Sequence, residues 1–180
     1  MWTTAILLAC AVVSRPAVQA GEPPRIPLTK IVSTEKLISN RLSAMFPEEP
    51  WFLIGPARGV YLNGFGVVFS AEINLATGPT LSPFKQTITK EEIAHHRGKK
   101  EARLPVLRTR LYEIAGQMAN SLEALPPNEE FVLAVTLLKY PWEDGAGMPS
   151  QIILRVPRGR ALEALRMNTP LDSVVKSQEY

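Results

Sequence analysis

His95 and His96 are the only imidazoles in this 180-residue chain, and imidazole is the side chain that gains and loses a proton near neutral pH. Side by side on a helix they would point about 100° apart, so one metal ion cannot easily take both. The His-Glu-x-x-His spacing of a helical zinc site is absent, although Glu91 and Glu92 lie one turn earlier. The pair reads as a solvated helix face, and a general-base role finds no partner nucleophile in the sequence. Ser70 and Glu72 would share the outward face of a strand, a pairing that suggests hydrolysis, yet no Gly-x-Ser-x-Gly elbow surrounds Ser70. The plainer reading is a polar stripe facing water.

Two further groups suit binding better than catalysis. Lys90, Arg97, Lys99, Lys100, Arg103, Arg108 and Arg110 outnumber Glu91, Glu92 and Glu101 in the same stretch. Such an excess is either a solvated helix face or, with Lys99, Lys100 and Arg103 at its centre, a surface for an anionic envelope component. Trp142, Glu143 and Asp144 put an aromatic ring beside two carboxylates in a loop, where a cation or a peptide could sit. The alternating oxygen ligands of a calcium loop are missing. Neither group calls for a cofactor or a metal, and none is expected.

The elements that must position these residues follow from spacing. Ser33 or Thr34 is placed to cap a helix running to about Met45, with Leu37, Ile38, Leu42 and Met45 on one side and Pro47 beyond its end. Asn63-Gly64 separates Val60-Tyr61-Leu62 from an alternating run, which predicts a hairpin with a type I′ turn. In the second strand Val67, Phe69, Ala71, Ile73 and Leu75 form the core face. Thr89-Lys90-Glu91-Glu92 is a capping box. It opens a long helix whose stripe is Leu104, Leu107, Leu111, Ile114, Met118 and Leu122, with a break or kink expected between Lys99 and Pro105. Glu130 to Tyr140 is apolar on both faces, as a central strand is. A strand from Gln151 to Val156 and a short helix from Arg160 to Met167 complete the pattern. The fold class expected is α+β: a two-layer sandwich of antiparallel β-hairpins packed against a long helix, in the order α-ββ-α-ββ-α.

The N-terminus addresses location. Ala5 to Val13 is an apolar run of signal-peptide length, too short for a bilayer span, and Val18-Gln19-Ala20 presents small residues for cleavage between Ala20 and Gly21. Residues 1–20 are therefore expected to be a cleaved signal peptide and the protein to be exported to the periplasm or the medium. The only cysteine, Cys10, lies in Leu7-Leu8-Ala9-Cys10. If that were a lipoprotein box, Cys10 would become a lipid anchor, but the apolar stretch before it is then only about five residues. Otherwise the mature chain has no thiol. Residues 21–30 form an extended Pro-rich lead-in, 31–167 a single domain and 168–180 a polar tail. Losing the leader, whose one charged side chain is Arg15, lowers the formal charge from +3 to +2, too little to indicate nucleic acid. No later stretch has the ~20 apolar residues of a membrane anchor, and the sequence leaves the oligomeric state open.

The segment Gly59-Val60-Tyr61-Leu62-Asn63-Gly64-Phe65-Gly66-Val67-Val68-Phe69, with the later Pro126-Pro127-Asn128-Glu129 and Tyr140-Pro141-Trp142-Glu143-Asp144, resembles a family of exported bacterial proteins of unknown function. The resemblance covers roughly residues 50–156 and brings no catalytic residues with it. The element order is also similar to roadblock or profilin-like domains, which implies a binding scaffold. The expectation is an exported, non-catalytic module of the cell envelope that binds a protein or an anionic envelope component. The alternative is a small periplasmic hydrolase using Glu72 or one of His95 and His96.

Overall fold

A computed structural model describes residues 26–47, 51–79, 83–85 and 87–180. The signal-peptide reading, with Cys10 and the Ala20–Gly21 cleavage site, and residues 21–25 of the Pro-rich lead-in lie outside these residues, while the lead-in's last three residues, 28–30, are helical and not extended. The chain runs α1 (Leu28–Ser43), β1 (Phe52–Leu53), β2 (Arg58–Leu62), β3 (Gly66–Asn74), α2 (Lys90–Ser121), β4 (Glu130–Leu137), β5 (Gln151–Pro157), α3 (Arg158–Arg166), a 3-10 turn (Leu171–Ser173) and β6 (Lys176–Glu179). It is a mixed α+β fold with one six-stranded sheet ordered β1-β3-β4-β5-β6, and β2 pairs with β3 beside β1.

The sheet is mixed, which corrects the expectation of antiparallel hairpins alone. The β2–β3 and β4–β5 pairs are antiparallel, but β3 and β4 lie parallel, from Gly66 opposite Glu130 to Ile73 opposite Leu137. The 32-residue α2 carries the chain back to the end of the sheet where β3 began, as a parallel pair requires. Two strands lie outside the expected order. The short β1 pairs with the end of β3, and β6 forms within the polar tail by pairing with β5.

Local chemistry accounts for several boundaries. α1 starts at Leu28 behind Pro27, whose φ of −60° suits a helix entrance. Ser33 and Thr34 sit inside this helix, not at its cap, and their hydroxyls donate back to the Lys30 carbonyl, each at 2.9 Å. The capping box at Thr89 forms in both directions. α2 then continues through Pro105 without a break. Pro105 and Glu101 are both exposed, so water can satisfy the Glu101 carbonyl that the ring leaves without its amide partner. The β2–β3 loop is one residue longer than the expected two-residue hairpin turn, because Leu62 pairs with Gly66. Phe65 N–H donates to Leu62 O at 3.0 Å, and Gly64 alone of the two central residues has positive φ, at 78°, so the turn is not type I′.

One core joins these elements. The α2 stripe Leu104, Leu107, Leu111, Ile114, Met118 and Leu122 packs with Ile31, Ile38 and Leu42 of α1 and with Val67, Phe69, Ile73, Phe131, Leu133, Val135, Ile152, Leu154 and Val156 of the sheet. Ser70, Glu72 and Thr136 alternate with these core residues and are exposed on the other sheet face. Among the described residues no helix is long and apolar enough to cross a membrane.

Candidate functional site

The buried face of α2 does not end at its leucines. Counting back from Leu107, Arg103, Lys100 and His96 follow at three- and four-residue intervals and are buried, at 8%, 5% and 3% exposure. The N-terminal half of the helix thus turns three nitrogen-bearing side chains inward, toward the residues after β3 and the loop between β4 and β5.

Lys100 Nζ donates to Leu138 O at 2.8 Å and lies 2.8 and 2.7 Å from the two carboxylate oxygens of Glu143. Its three N–H bonds are all engaged. Glu143 Oε1 also accepts from the Tyr140 backbone N–H at 3.2 Å, which folds the start of the loop over the ammonium. Arg97 fastens the far end. Its Nη2 donates to Ala146 O at 2.7 Å, its Nε donates to Glu101 at 2.7 Å, and its Nη1 lies 3.5 Å from Asp144 Oδ2. Asp144 Oδ1 accepts from Ala146 N–H at 3.0 Å, closing an Asx turn. Glu101, then Asp144, holds the Arg97 pKa above its ordinary value.

The other wall is aromatic. Tyr140 and Trp142 stack with centroids 5.1 Å apart, and His96 meets both edge-on, at 5.7 and 5.0 Å. A Cβ on Gly78 would stand 2.8 Å from the Trp142 ring and 3.1 Å from the Tyr140 ring, so the chain after β3 presses directly on the stack. Asn74, fully buried, donates from Nδ2 to the Tyr140 hydroxyl at 2.8 Å.

His96 has a defined tautomer. Nε2 is 3.0 Å from the Ala76 carbonyl, which can only accept, so Nε2 carries the proton. Nδ1 is left as a bare lone pair, buried without a hydrogen bond, 3.7 Å from Glu143 Oε1. Burial holds the His96 pKa below the ordinary imidazole value, outweighing the Ala76 hydrogen bond and the Glu143 charge that pull it up.

Beside the Lys100–Glu143 pair is a cavity of about 250 Å³ lined by Leu75, Leu137, Leu138, Lys139, Asp144, Gly145, Met148, Pro149, Ser150 and Tyr180 together with the pair itself. Its floor is aliphatic and its charged groups stand at the side. The serine hydroxyl at hand, Ser150 Oγ, donates to Tyr180 O at 3.0 Å. Among the described residues no group of three or more His, Cys, Asp and Glu side chains could hold a metal ion.

The structure brings together part of what the sequence singled out. Lys100, Trp142 and Glu143 meet in one cluster, and Asp144 joins its edge through Arg97. Arg103 is buried nearby, with Nη1 donating to Leu75 O and its guanidinium 4.9 Å over the Phe46 ring. Of the three basic residues taken as a partner surface, Lys99 alone is exposed. His95 is exposed too, while Glu72 stands exposed on the sheet face opposite the core, and no hydrogen bond or ion pair joins Glu72, His95 and Asp144. Sequence reasoning took Arg97 only as part of a basic helix face and missed Asn74, the role of Tyr140 and the burial of His96. The signal for His96 was present, since it continues the spacing of the leucine stripe. No family model, curated protein or solved structure matches the chain.

Proposed function

We propose that this chain is an exported, non-catalytic binding module, a two-layer α+β scaffold that holds a small ligand or a partner's side chain in the cavity under the β4–β5 loop. One observation carries the reading: apart from Lys139 at the mouth, the charged side chains around that cavity are consumed in holding the loop, leaving a preformed space with an aliphatic floor. Lys100 has no free N–H bond, Glu143 is bound from two directions, and the Asp144 carboxylate is turned toward Arg97 and its own loop. Rigid walls with few free polar groups suit recognition. A hydrolytic site instead needs a nucleophile, a base and a place for the developing charge within reach of one another.

The hydrolase alternative draws no such support. Glu72 is on the far face of the sheet, and Nδ1, the nitrogen of His96 left to act as a base, is buried with no nucleophile hydrogen-bonded to it. Export rests on the apolar run at Ala5–Val13 and the small residues before Gly21. An envelope partner, protein or anionic, is the class of ligand that goes with that location, and the exposed Lys99 at the rim of α2 accords with it.

The test is a fragment screen by chemical-shift mapping on the full-length chain, together with an ester and peptide hydrolysis panel. The expected result is hits clustered on residues 137–150, lost in Met148→Trp, which fills the cavity, with no turnover of any substrate. Turnover abolished by Glu72→Gln or His96→Gln would replace this reading with the hydrolase one.

A further inference from the structure

Among the described residues, the cavity under the β4–β5 loop is lined by one cation with no anion to answer it. Lys100 is answered by Glu143, and Asp144 faces Arg97. Lys139, exposed at the mouth, has no hydrogen bond or ion pair among the described residues. Its side chain lies across Gly145, where a Cβ would collide with the ammonium and with Cε, so the missing side chain at 145 is what lets the cation rest at the rim. Behind it the floor is made by Leu75, Leu137, Leu138, Met148 and Pro149.

A concave aliphatic floor with an ammonium free of ion pairs at its opening selects for one kind of molecule. The geometry points to a small amphiphilic anion as the ligand, an alkyl carboxylate whose chain fills the cavity and whose head group meets Lys139 Nζ. This inference rests on the reading of the cavity as a binding site and names its ligand class. Size agrees. About 250 Å³ divided by the roughly 30 Å³ of one water-sized group leaves room for roughly eight heavy atoms, a medium-length chain and not a nucleotide or a lipid with two tails. Burying the chain supplies most of the affinity, because an exposed ion pair at a rim contributes little by itself. The charge instead sets the preference among chains of equal length. A cationic head would meet the like charge of Lys139, and a neutral one would gain nothing from it.

The probes are octanoate, octanol and octylamine, each titrated into the full-length chain and followed through the Met148 methyl resonance. Octanoate is expected to bind about two- to five-fold more tightly than octanol, with octylamine weakest. Lys139→Glu, a change at an exposed residue that leaves folding intact, is expected to remove the preference for octanoate while octanol still binds. Equal binding of all three probes would overturn the anion assignment and leave the cavity as a binding site. No movement of the Met148 resonance with any probe would overturn both.

Discussion

Lys100 on α2 and Glu143 in the β4–β5 loop, 43 residues apart in the chain, meet through a two-oxygen contact at 2.8 and 2.7 Å, with side chains 6% and 12% exposed. A buried pair of this kind is asymmetric in its energetics. Its net contribution is small because both charges gave up water, yet removing one partner strands the other. Lys100→Met is therefore expected to cost about 3–5 kcal/mol, and Glu143→Leu a comparable amount. The double variant should recover much of the loss, because two apolar side chains of similar size replace two charges. Urea denaturation of the wild type, both single variants and the double variant measures this directly. Additive losses would mean that the pair does not hold the loop.

The orphaned Nδ1 of His96 makes stability depend on pH. Burial keeps the folded-state pKa below the ordinary value of about 6.5, so the folded protein resists protonation while the unfolded chain accepts it. The unfolded state binds more protons as pH falls, and stability falls with it. The contribution is fully present above about pH 6.5 and is lost as the pH drops toward the folded pKa. Glu143 at 3.7 Å favours the protonated ring, while Lys100 and Lys99 oppose it. His96→Gln removes the titrating group and retains an amide that can donate toward the Ala76 carbonyl. The expected outcome is a smaller drop in Tm between about pH 7.5 and about pH 5.5 than in the wild type. An unchanged drop would assign the acid sensitivity elsewhere.

Tyr140→Phe tests the aromatic wall. The hydroxyl accepts from the fully buried Asn74 amide at 2.8 Å, and its loss leaves that donor without a partner. A cost of about 1–3 kcal/mol is expected, concentrated in the loop. Faster amide exchange at residues 138–148 than in the rest of the sheet would show it.

Much of the scaffold is legible in residue spacing, and the reasons it stops being so are physical. The Thr89 box and the stripe from Leu104 to Leu122 can be read because helix caps and helical periodicity are local. β4 can be placed centrally because Phe131, Val132 and Leu133 leave no polar face. The direction in which β3 meets β4 is not local, because it depends on which end of the sheet α2 returns to. β6, exposed along its whole length, is held by backbone pairing with β5 and carries no alternation to announce it. The site itself is half legible. Trp142, Glu143 and Asp144 stand out by type, but Lys100 and Arg103 look like surface residues because lysine and arginine usually are. The partners that bury them include the backbone carbonyls of Leu138 and Leu75, which no side chain marks.

Gly64 and Gly66, two positions apart, separate backbone strain from steric exclusion. Gly64, φ 78°, tips the β2–β3 turn, with nothing within 4 Å of a Cβ placed there. Gly66, φ 132°, opens β3, where a Cβ would run into the Glu130 carbonyl; Glu130 N–H, in turn, donates to Phe65 O at 3.0 Å at the first step of the parallel β3–β4 pairing. Gly64→Ala should cost only the left-handed strain, about 1–2 kcal/mol. Gly66→Ala adds to comparable strain, about 1–3 kcal/mol, a clash with backbone that has no flexible tip to move aside. It should exceed the Gly64 variant clearly and shift β4 at its first residues. Chemical denaturation ranks the two, and amide exchange at Glu130 and Phe131 locates the damage. Equal losses would mean that the strands can part at Gly66 without consequence, and the close approach there would not be what sets the parallel register.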